Sequence, residues 1–258
     1  MPLLGMSHGD LDERIKASTK ELELKPNNIE LLLKRAKLFY QHDEFMRSIR
    51  DYEKAEDLGG NIKIILEGYA VAWLKKGQYD FALESIDSLL VLSPEYHKAH
   101  DTKAEILMKN GAYEDAALSY RRMIELSHEK QTPLYHNLIS AYDSIGTTAA
   151  HLKSIHVIEE ALKELGTIKA MQIKLVELLI KTNQISDALA IQTVIIQTSN
   201  RKERAYLKRA YIHLGLEDSE SAQKDLLSSI ESIELLPFRI QQMKKMKELK
   251  AEIEKLQK

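Results

Sequence analysis

The sequence predicts an all-α protein built from repeated antiparallel helix pairs. Similar residue types recur every 34 positions, as a tandem repeat requires. Within each period the apolar residues lie three or four positions apart, so they share one face of a helix. Helix breakers are few, with 10 glycines and 5 prolines among 258 residues, which leaves little room for long loops.

The period is clearest between residues 26 and 127, where several classes of residue recur in register. They are small residues at Ala36, Ala70 and Ala104, glycines at Gly77 and Gly111, aromatic residues at Phe45, Tyr79 and Tyr113, small residues again at Ser48, Ala82 and Ala116, and large residues at Tyr52, Ile86 and Tyr120 and at Leu58, Leu92 and Leu126. This spacing predicts two short helices and a tight turn in each period. Small residues let two helix axes approach closely, and large residues fill the grooves beside them.

The first predicted element is a lone helix over residues 10–24, which we interpret as a half repeat. A fourth helix pair starts near Tyr135 and has Gly146 at its turn, and about three extra residues near 147–150 precede Ser154, where the pattern resumes. A fifth pair follows, and a sixth carries Ala210 and Ala222.

Residues 191–198 of the fifth pair are rich in β-branched side chains and have the local composition of a strand. Their register nevertheless predicts the second helix of a pair. β-branched residues lower helix propensity by only about a few tenths of a kcal/mol each, and tertiary packing overrides this. We therefore expect a helix in this segment.

Residues 237–258 are predicted to form one long C-terminal capping helix, from Phe238 to about Gln257. Its apolar residues are Ile240, Met243, Met246, Leu249, Ile253 and Leu256. A solenoid needs a terminal helix with one polar face, because the last repeat otherwise exposes its core. Alternatively, residues 238–257 form a homodimer seam or dock on a partner. The segment spans less than about three heptads, which is short for a coiled coil that stands alone.

The repeat pattern resembles that of the tetratricopeptide repeat (TPR) family. Residues 63–96 carry the family's order of large, small and aromatic residues at Leu66, Ala70, Trp73, Ala82, Ile86, Leu89 and Pro94, and residues 29–62 carry it at Leu32, Ala36, Phe39, Ser48, Tyr52 and Ala55. The resemblance covers about residues 10–234 and is closest over 26–127. It implies a right-handed superhelical solenoid over 10–236, made of a half repeat and about six helix pairs, after a flexible N-terminus over 1–9.

The resemblance also implies a function, because TPR arrays hold a peptide or protein in a concave groove lined by their first helices. We therefore expect a non-enzymatic protein–protein interaction scaffold; the alternative is a structural subunit that self-assembles through its ends or its C-terminal helix. The family register places these partner-binding residues in the groove: Lys34, Lys37, Tyr40, Glu67, Val71, Lys75, Asp101, Glu105, Lys109, His136, Asn137, Ser140, Lys174, Glu177, Lys181, Lys208 and Tyr211.

One subgroup of the family grips the acidic carboxyl tails of heat-shock chaperones with a clamp of Lys, Asn and Arg side chains. The corresponding positions here hold Leu33, Lys37, Gly68, Lys98 and Thr102, of which only Lys98 matches the clamp. The sequence therefore argues against a chaperone-tail clamp in these repeats.

The sequence carries no catalytic signature, and we expect no enzyme activity, no cofactor and no metal site. It has no cysteine, no GxxxxGK[ST] phosphate loop, no GxSxG elbow and no HExxH zinc motif. His97 and His100 are the closest approach to a ligand pair, but a metal needs a third convergent ligand, and His100 stands at a packing position. We interpret both as packing or solvated residues.

Charge and hydropathy exclude two further classes of partner. The chain has 37 Lys and Arg against 39 Asp and Glu, so no bulk basic field favours nucleic acid. No uninterrupted apolar stretch approaches the length of a membrane span. The run of Lys244, Lys245 and Lys247 could touch an acidic surface, although a solvated face is the default interpretation.

The cytoplasm is the default location, with export behind a leader absent from this sequence as the alternative.

Overall fold

The computed structural model of the chain describes residues 8–257, and within that range it contains helices and no β-strand. The helices are α1 (His8–Leu24), α2 (Ile29–Gln41), α3 (Phe45–Asp57), α4 (Ile62–Lys75), α5 (Tyr79–Leu92), α6 (His97–Asn110), α7 (Tyr113–Leu126), α8 (Thr132–Ile145), α9 (Thr148–Leu165), α10 (Lys169–Lys181), α11 (Ile185–Thr198), α12 (Glu203–Gly215), α13 (Ser219–Glu234), α14 (Phe238–Gln241) and α15 (Lys244–Leu256). They form two compact units, Met1–Ile145 and Gly146–Lys258. The all-helical prediction is thereby confirmed.

Unit 1 consists of α1, three antiparallel helix pairs and α8. The pairs are α2 with α3, α4 with α5 and α6 with α7, and each second helix also packs on the first helix of the next pair. The first helices adjoin one another, α2 beside α4 and α4 beside α6. Their small residues Ala36, Ala70 and Ala104 are each 0% exposed, as expected for residues at close helix crossings.

The turns within the pairs need one residue in the left-handed backbone region. Asp43, Gly77 and Gly111 stand 34 residues apart and have φ angles of 61°, 74° and 79°. Glycine reaches this region without steric cost, whereas Asp at the first turn does so with some strain. The recurrence of Gly77 and Gly111 in the sequence therefore reflects a backbone requirement of the turn.

Unit 2 begins with α9, which differs from the other second helices in length. Thr147 caps it, accepting a hydrogen bond from the amide of Ala150 at 3.2 Å. Ser154 and Ser48 occupy the same repeat position, that of the small residue in the second helix. Ser154 comes six residues after the first residue of α9, whereas Ser48 comes three residues after the first residue of α3. The extra residues predicted near 147–150 therefore add about one turn to the start of a helix.

The β-branched segment 191–198 is helical, as its register predicted, and lies in α11. Ile195 and Ile196 are buried on its inner face, and Gln192 is buried with its side-chain amide donating to the carbonyl of Ala205 at 2.7 Å. Burial of these side chains against the neighbouring helices outweighs the small propensity penalty of β-branching.

The same partly buried polar network occurs in both units. In unit 1, Arg35 of α2 makes two hydrogen bonds of 2.7 Å to Asp51 of α3 and a third of 3.2 Å to Thr19 of α1. In unit 2, Arg209 of α12 does the same with Asp225 of α13 and Thr193 of α11. A bidentate Arg–carboxylate pair fixes both distance and orientation, so each network holds three successive helices in register.

The C-terminal prediction was wrong in one respect, because the expected single helix is broken between α14 and α15. Met243 has extended backbone, with φ −63° and ψ 138°, and interrupts the helix there. Gln241 donates to the carbonyls of Glu234 at 2.9 Å and Leu236 at 2.7 Å, which ties α14 to the end of α13. The break turns the chain, so that α15 packs against α13.

The packed face of α15 buries Met246, Leu249 and Ile253 in a cluster with Leu226 and Ile233 of α13. This is the arrangement expected of a cap. At the other end of the chain, residues 8 and 9 belong to α1 rather than to the flexible N-terminus predicted over 1–9, and Asp10 lies in the first turn, where a negative charge is favourable. Residues 1–7 of that prediction lie outside the described residues.

The close crossings give the first testable prediction. Replacing Ala70 or Ala104 by Leu should destabilise the fold by about 1–3 kcal/mol, because three extra carbon atoms must fit where two helices touch. Chemical denaturation of each variant measures this. Ala190→Leu, at an exposed position of α11, is the matched control and should be near neutral. Neutral results at both Ala70 and Ala104 would mean that the helices are phased differently.

Candidate functional site

The structure places every predicted groove residue outside the buried core. Lys34, Lys37, Lys75, Asp101, Glu105, Lys109, His136, Glu177, Lys181 and Tyr211 are exposed, and Tyr40, Glu67, Val71, Asn137, Ser140, Lys174 and Lys208 are half-buried. They fall on first helices, namely α2, α4, α6 and α8 in unit 1 and α10 and α12 in unit 2. We call the accessible side of α2, α4 and α6 the first-helix face.

A tyrosine–carboxylate contact joins two of the helices of this face. The hydroxyl of Tyr96, at the start of α6, donates to Glu67 of α4 at 3.1 Å. Burial raises the pKa of Tyr96, and the neighbouring Glu67 charge and hydrogen bond raise it further. Tyr96 was not among the predicted site residues because it precedes the first turn of α6, outside the register positions used. Its place two residues after Pro94 was the available signal.

Tyr40 extends the same electrostatic neighbourhood to α2. Burial raises the pKa of its hydroxyl, followed by the charges of Glu105 on α6 and of Asp43 in the adjacent turn. Residues 65 positions apart in sequence therefore act on one another across the face. Packing of the three first helices side by side is what brings them together.

Asp101 and Glu105 are one helical turn apart on α6 and repel each other. Asp101 is exposed at its surface, but partial burial of its carboxyl raises its pKa above the ordinary value; the charge of Glu105 raises the pKa further, while His97 acts in the opposite direction. Tyr120 of α7 lies near both carboxylates, and burial together with their charges raises its pKa to about 12. Ionisation of Asp101 and of Tyr120 is thus disfavoured.

The carboxylates of Glu67, Asp101 and Glu105 form no ion pair within residues 8–257. Among the described residues 8–257, no Lys or Arg lies within ion-pair distance of any of the three, whereas nearby Asp87 pairs with Lys103 at 2.7 Å. Carboxylates without an ion-pair partner create a local negative potential that attracts cations. The first-helix face therefore combines an uncompensated negative centre with two partly accessible tyrosines.

Gly68 shows why a chaperone-tail clamp does not fit this face. A Cβ atom at this position would lie 2.3 Å from Cζ of Tyr52, so the Tyr52 ring fills the space of any side chain. Burial and the charge of Glu67 raise the pKa of Tyr52 to about 12. The Asn that the clamp requires could not be accommodated at Gly68 without moving this buried ring.

The remaining chemical candidates take ordinary structural roles. A ring nitrogen of His100 lies 2.8 Å from the carbonyl oxygen of Pro94, and His97 is exposed. Within residues 8–257, no three His, Asp or Glu side chains converge as metal ligands would. None of the helices in that range has the length and apolar character needed to span a membrane.

Unit 2 contains a separate cavity of about 980 Å³. It is lined by residues of α10, α11, α12, α14 and α15, including Glu177 and Lys208 from the predicted set. Sequence reasoning missed Lys169, Arg204 and Lys245, which also line it. Only Lys245 had a signal, as part of the lysine run after Met243.

Solved structures with helix-pair repeats superpose on most of the chain. The C-terminal part of a TPR repeat-containing protein from Cytophaga hutchinsonii aligns with a TM-score of 0.67 at 14% identity, covering 93% of this chain and 94% of that chain. A tetratricopeptide repeat protein from Parabacteroides merdae aligns with a TM-score of 0.53 at 18% identity, covering 95% and 93%. At such identities the likeness concerns the fold.

Sequence comparison gives a weaker match. No protein-family model matches the chain. The small glutamine-rich tetratricopeptide repeat-containing protein 2 of Mycosarcoma maydis is 25% identical over 83 residues, which cover 32% of this chain and 24% of that protein. The matched part thus spans about a quarter of this relative's length.

The raised pKa of Asp101 predicts a pH-dependent effect on stability. The fold disfavours the ionised carboxyl, so Asp101 lowers stability at neutral pH, and this cost disappears as the pH falls through its raised pKa. Asp101→Asn should therefore raise the thermal unfolding midpoint at pH 7, with a gain that shrinks toward pH 4.

The control for Asp101→Asn is Glu84→Gln, at an exposed position in the middle of α5, which should change the midpoint little at any pH. A gain at Asp101→Asn that is constant with pH would contradict the electrostatic explanation.

Proposed function

Because the chain has the tetratricopeptide repeat fold, we propose that it is a non-enzymatic scaffold that binds a partner protein through an extended segment on its first-helix face. The uncompensated negative centre formed by Glu67, Asp101 and Glu105 is the observation that carries this proposal. It favours a segment that brings Lys or Arg side chains to the face.

The residues of the face have distinct proposed roles. Glu67 and Glu105 pair with cationic side chains of the segment, and Asp101 adds negative charge between them. Tyr40 and Tyr96 contact its apolar parts and can stack on a guanidinium or ammonium group. Tyr96 is already held in place by its 3.1 Å hydrogen bond to Glu67, and the ring of Tyr40 lies 5.9 Å from that of Phe45, so binding orders few side chains.

Four exposed lysines lie on the same three helices as this negative centre, two in the middle of α2 and two at the ends of α4 and α6. Lys34 and Lys37 on α2, Lys75 at the end of α4 and Lys109 at the end of α6 are exposed. We propose that they pair with acidic residues flanking the basic part of the segment. On α8, His136, Asn137 and Ser140 supply hydrogen-bonding groups that extend the surface along the same unit.

The proposal also includes the corresponding first-helix residues of unit 2, which are Lys174, Glu177, Lys181, Lys208 and Tyr211. Tyr211 differs from the others because it already makes a contact within the chain. The hydroxyl of Tyr211 donates to Glu252 of α15 at 2.5 Å, and this contact raises its pKa. Tyr211 therefore already has a partner within the chain. The capping segment covers that end of unit 2.

Self-assembly through residues 238–257 receives less support. The predicted seam depends on the apolar face of α15, and its residues Met246, Leu249 and Ile253 are buried against the chain's own α13. A dimer through the same face would have to unpack this core. The proposal therefore assigns α15 to capping and the first-helix face to the partner.

An array of synthetic peptides graded in net charge tests the proposed function. Among peptides that lack a large apolar residue, the full chain should bind basic peptides of about ten residues best, and Glu67→Lys combined with Glu105→Lys should weaken this binding about tenfold or more. Charge reversal at Lys34, Lys37 and Lys75 should instead reduce the preference for peptides with flanking acidic residues. Fluorescence polarisation with selected labelled peptides gives the affinities.

The matched control is Glu84→Lys combined with Glu159→Lys, which makes the same change in net charge at exposed positions away from the face. It should leave peptide binding nearly unchanged. If both reversals on the face bind every peptide as the unmodified chain does, the first-helix face is not the binding surface.

A further inference from the structure

The cavity in unit 2 has an apolar lining that is partly open to solvent. Ile173 of α10 and Met243 beside α15 are large apolar side chains, 43% and 55% exposed, and both line it. Val176, Ile195 and Met246 form its buried part. Its volume of about 980 Å³ is that of a ligand pocket and has room for several side chains.

The rim of the cavity carries positive charge that the chain does not neutralise. Lys169, Arg204, Lys208 and Lys245 line it, and none of the four forms an ion pair with a carboxylate of residues 8–257. Lys169 instead donates to the hydroxyl of Ser199 at 2.8 Å. These four cations outnumber Glu177, which likewise has no ion pair; the other lining carboxylates, Glu203 and Glu248, pair with Arg201 and Lys244.

Helix starts add to this positive potential. The first turns of α10 and α15 contain no acidic residue, and no side chain caps either helix. Lys169 is the first residue of α10, and Lys245 and Met246 lie in the first turn of α15, so both starts border the cavity. Uncapped helix N-termini carry a partial positive charge that favours anionic groups.

A buried group in the lining still lacks a partner. Glu203 is 3% exposed, and its Oε1 accepts hydrogen bonds from Arg201, one of them at 2.8 Å from Nε. Its Oε2 has no hydrogen-bond partner among the described residues. A buried carboxylate oxygen left without a donor is costly, and an N–H group of a bound segment would relieve that cost.

We propose that this cavity, which includes Glu177 and Lys208 of the predicted groove of unit 2, is a second docking site, separate from the face of α2, α4 and α6, for a partner segment in which acidic residues flank a large apolar side chain. The apolar side chain enters between Ile173 and Met243. The flanking carboxylates pair with Arg204, Lys208 and Lys245 at the rim. Charge complementarity selects this class of segment over a basic one.

Selection from a random library of about twelve-residue peptides displayed on phage tests the proposal with the full chain. Unmodified chain should enrich a class of peptides with Asp or Glu around a large apolar residue, and Arg204→Glu combined with Lys208→Glu should abolish enrichment of that class. Synthetic peptides of the class should bind this variant about tenfold or more weakly, and their affinity should fall with rising salt.

Two further variants make the result specific to the cavity. Lys163→Glu combined with Lys255→Glu makes the same charge change at exposed positions outside the lining. This control should still enrich the acidic–apolar class of peptides. Ile173→Ser should weaken binding of the same peptides while leaving the helical circular dichroism unchanged. Failure to enrich an acidic–apolar class, or equal binding by the Arg204/Lys208 reversal and its control, overturns the proposal.

Discussion

Close approach of paired helices at small buried residues is the constraint on which the rest of this structure depends. Ala36, Ala70 and Ala104 are fully buried where a first helix meets its neighbours. Ser48 of α3 is also small and packs against α2, where its hydroxyl donates to the carbonyl of Ala36 at 2.8 Å. Because the inner side of each first helix is used for this packing, its other side stays accessible.

The polar networks around Arg35 and Arg209 set the alignment that small residues alone would leave loose. Apolar packing tolerates sliding, whereas a bidentate pair with Asp51 or Asp225 fixes one relative position of two helices. In both networks the threonine also donates to the carbonyl four residues before it, so its hydroxyl is oriented to accept from the arginine. The lone helix α1 therefore makes the same threonine–arginine contact with α2 that α11 makes with α12.

The 34-residue register made most of this fold predictable, including the β-branched helix α11, because repeated core positions are strong local and tertiary signals together. The break at Met243 was not predictable from spacing. It depends on how Gln241 satisfies carbonyls at the end of α13, which is a tertiary contact. Likewise, the register indicated Glu67 and Glu105, but Tyr96 became visible only when α4 and α6 were packed together.

The nearly balanced composition of the whole chain conceals local groups of one charge: Glu67, Asp101 and Glu105 in unit 1 and Arg204, Lys208 and Lys245 in unit 2, none of which forms an ion pair among residues 8–257. The most direct test of the account uses the absence of native cysteine, which makes an introduced thiol unique. The rate of thiol modification is measured for Val71→Cys on the first-helix face and for Val91→Cys at an exposed position of α5. Each rate is measured with and without a bound basic peptide. The account predicts that the peptide slows modification at position 71 and leaves position 91 unchanged; slowing at position 91 alone would contradict it.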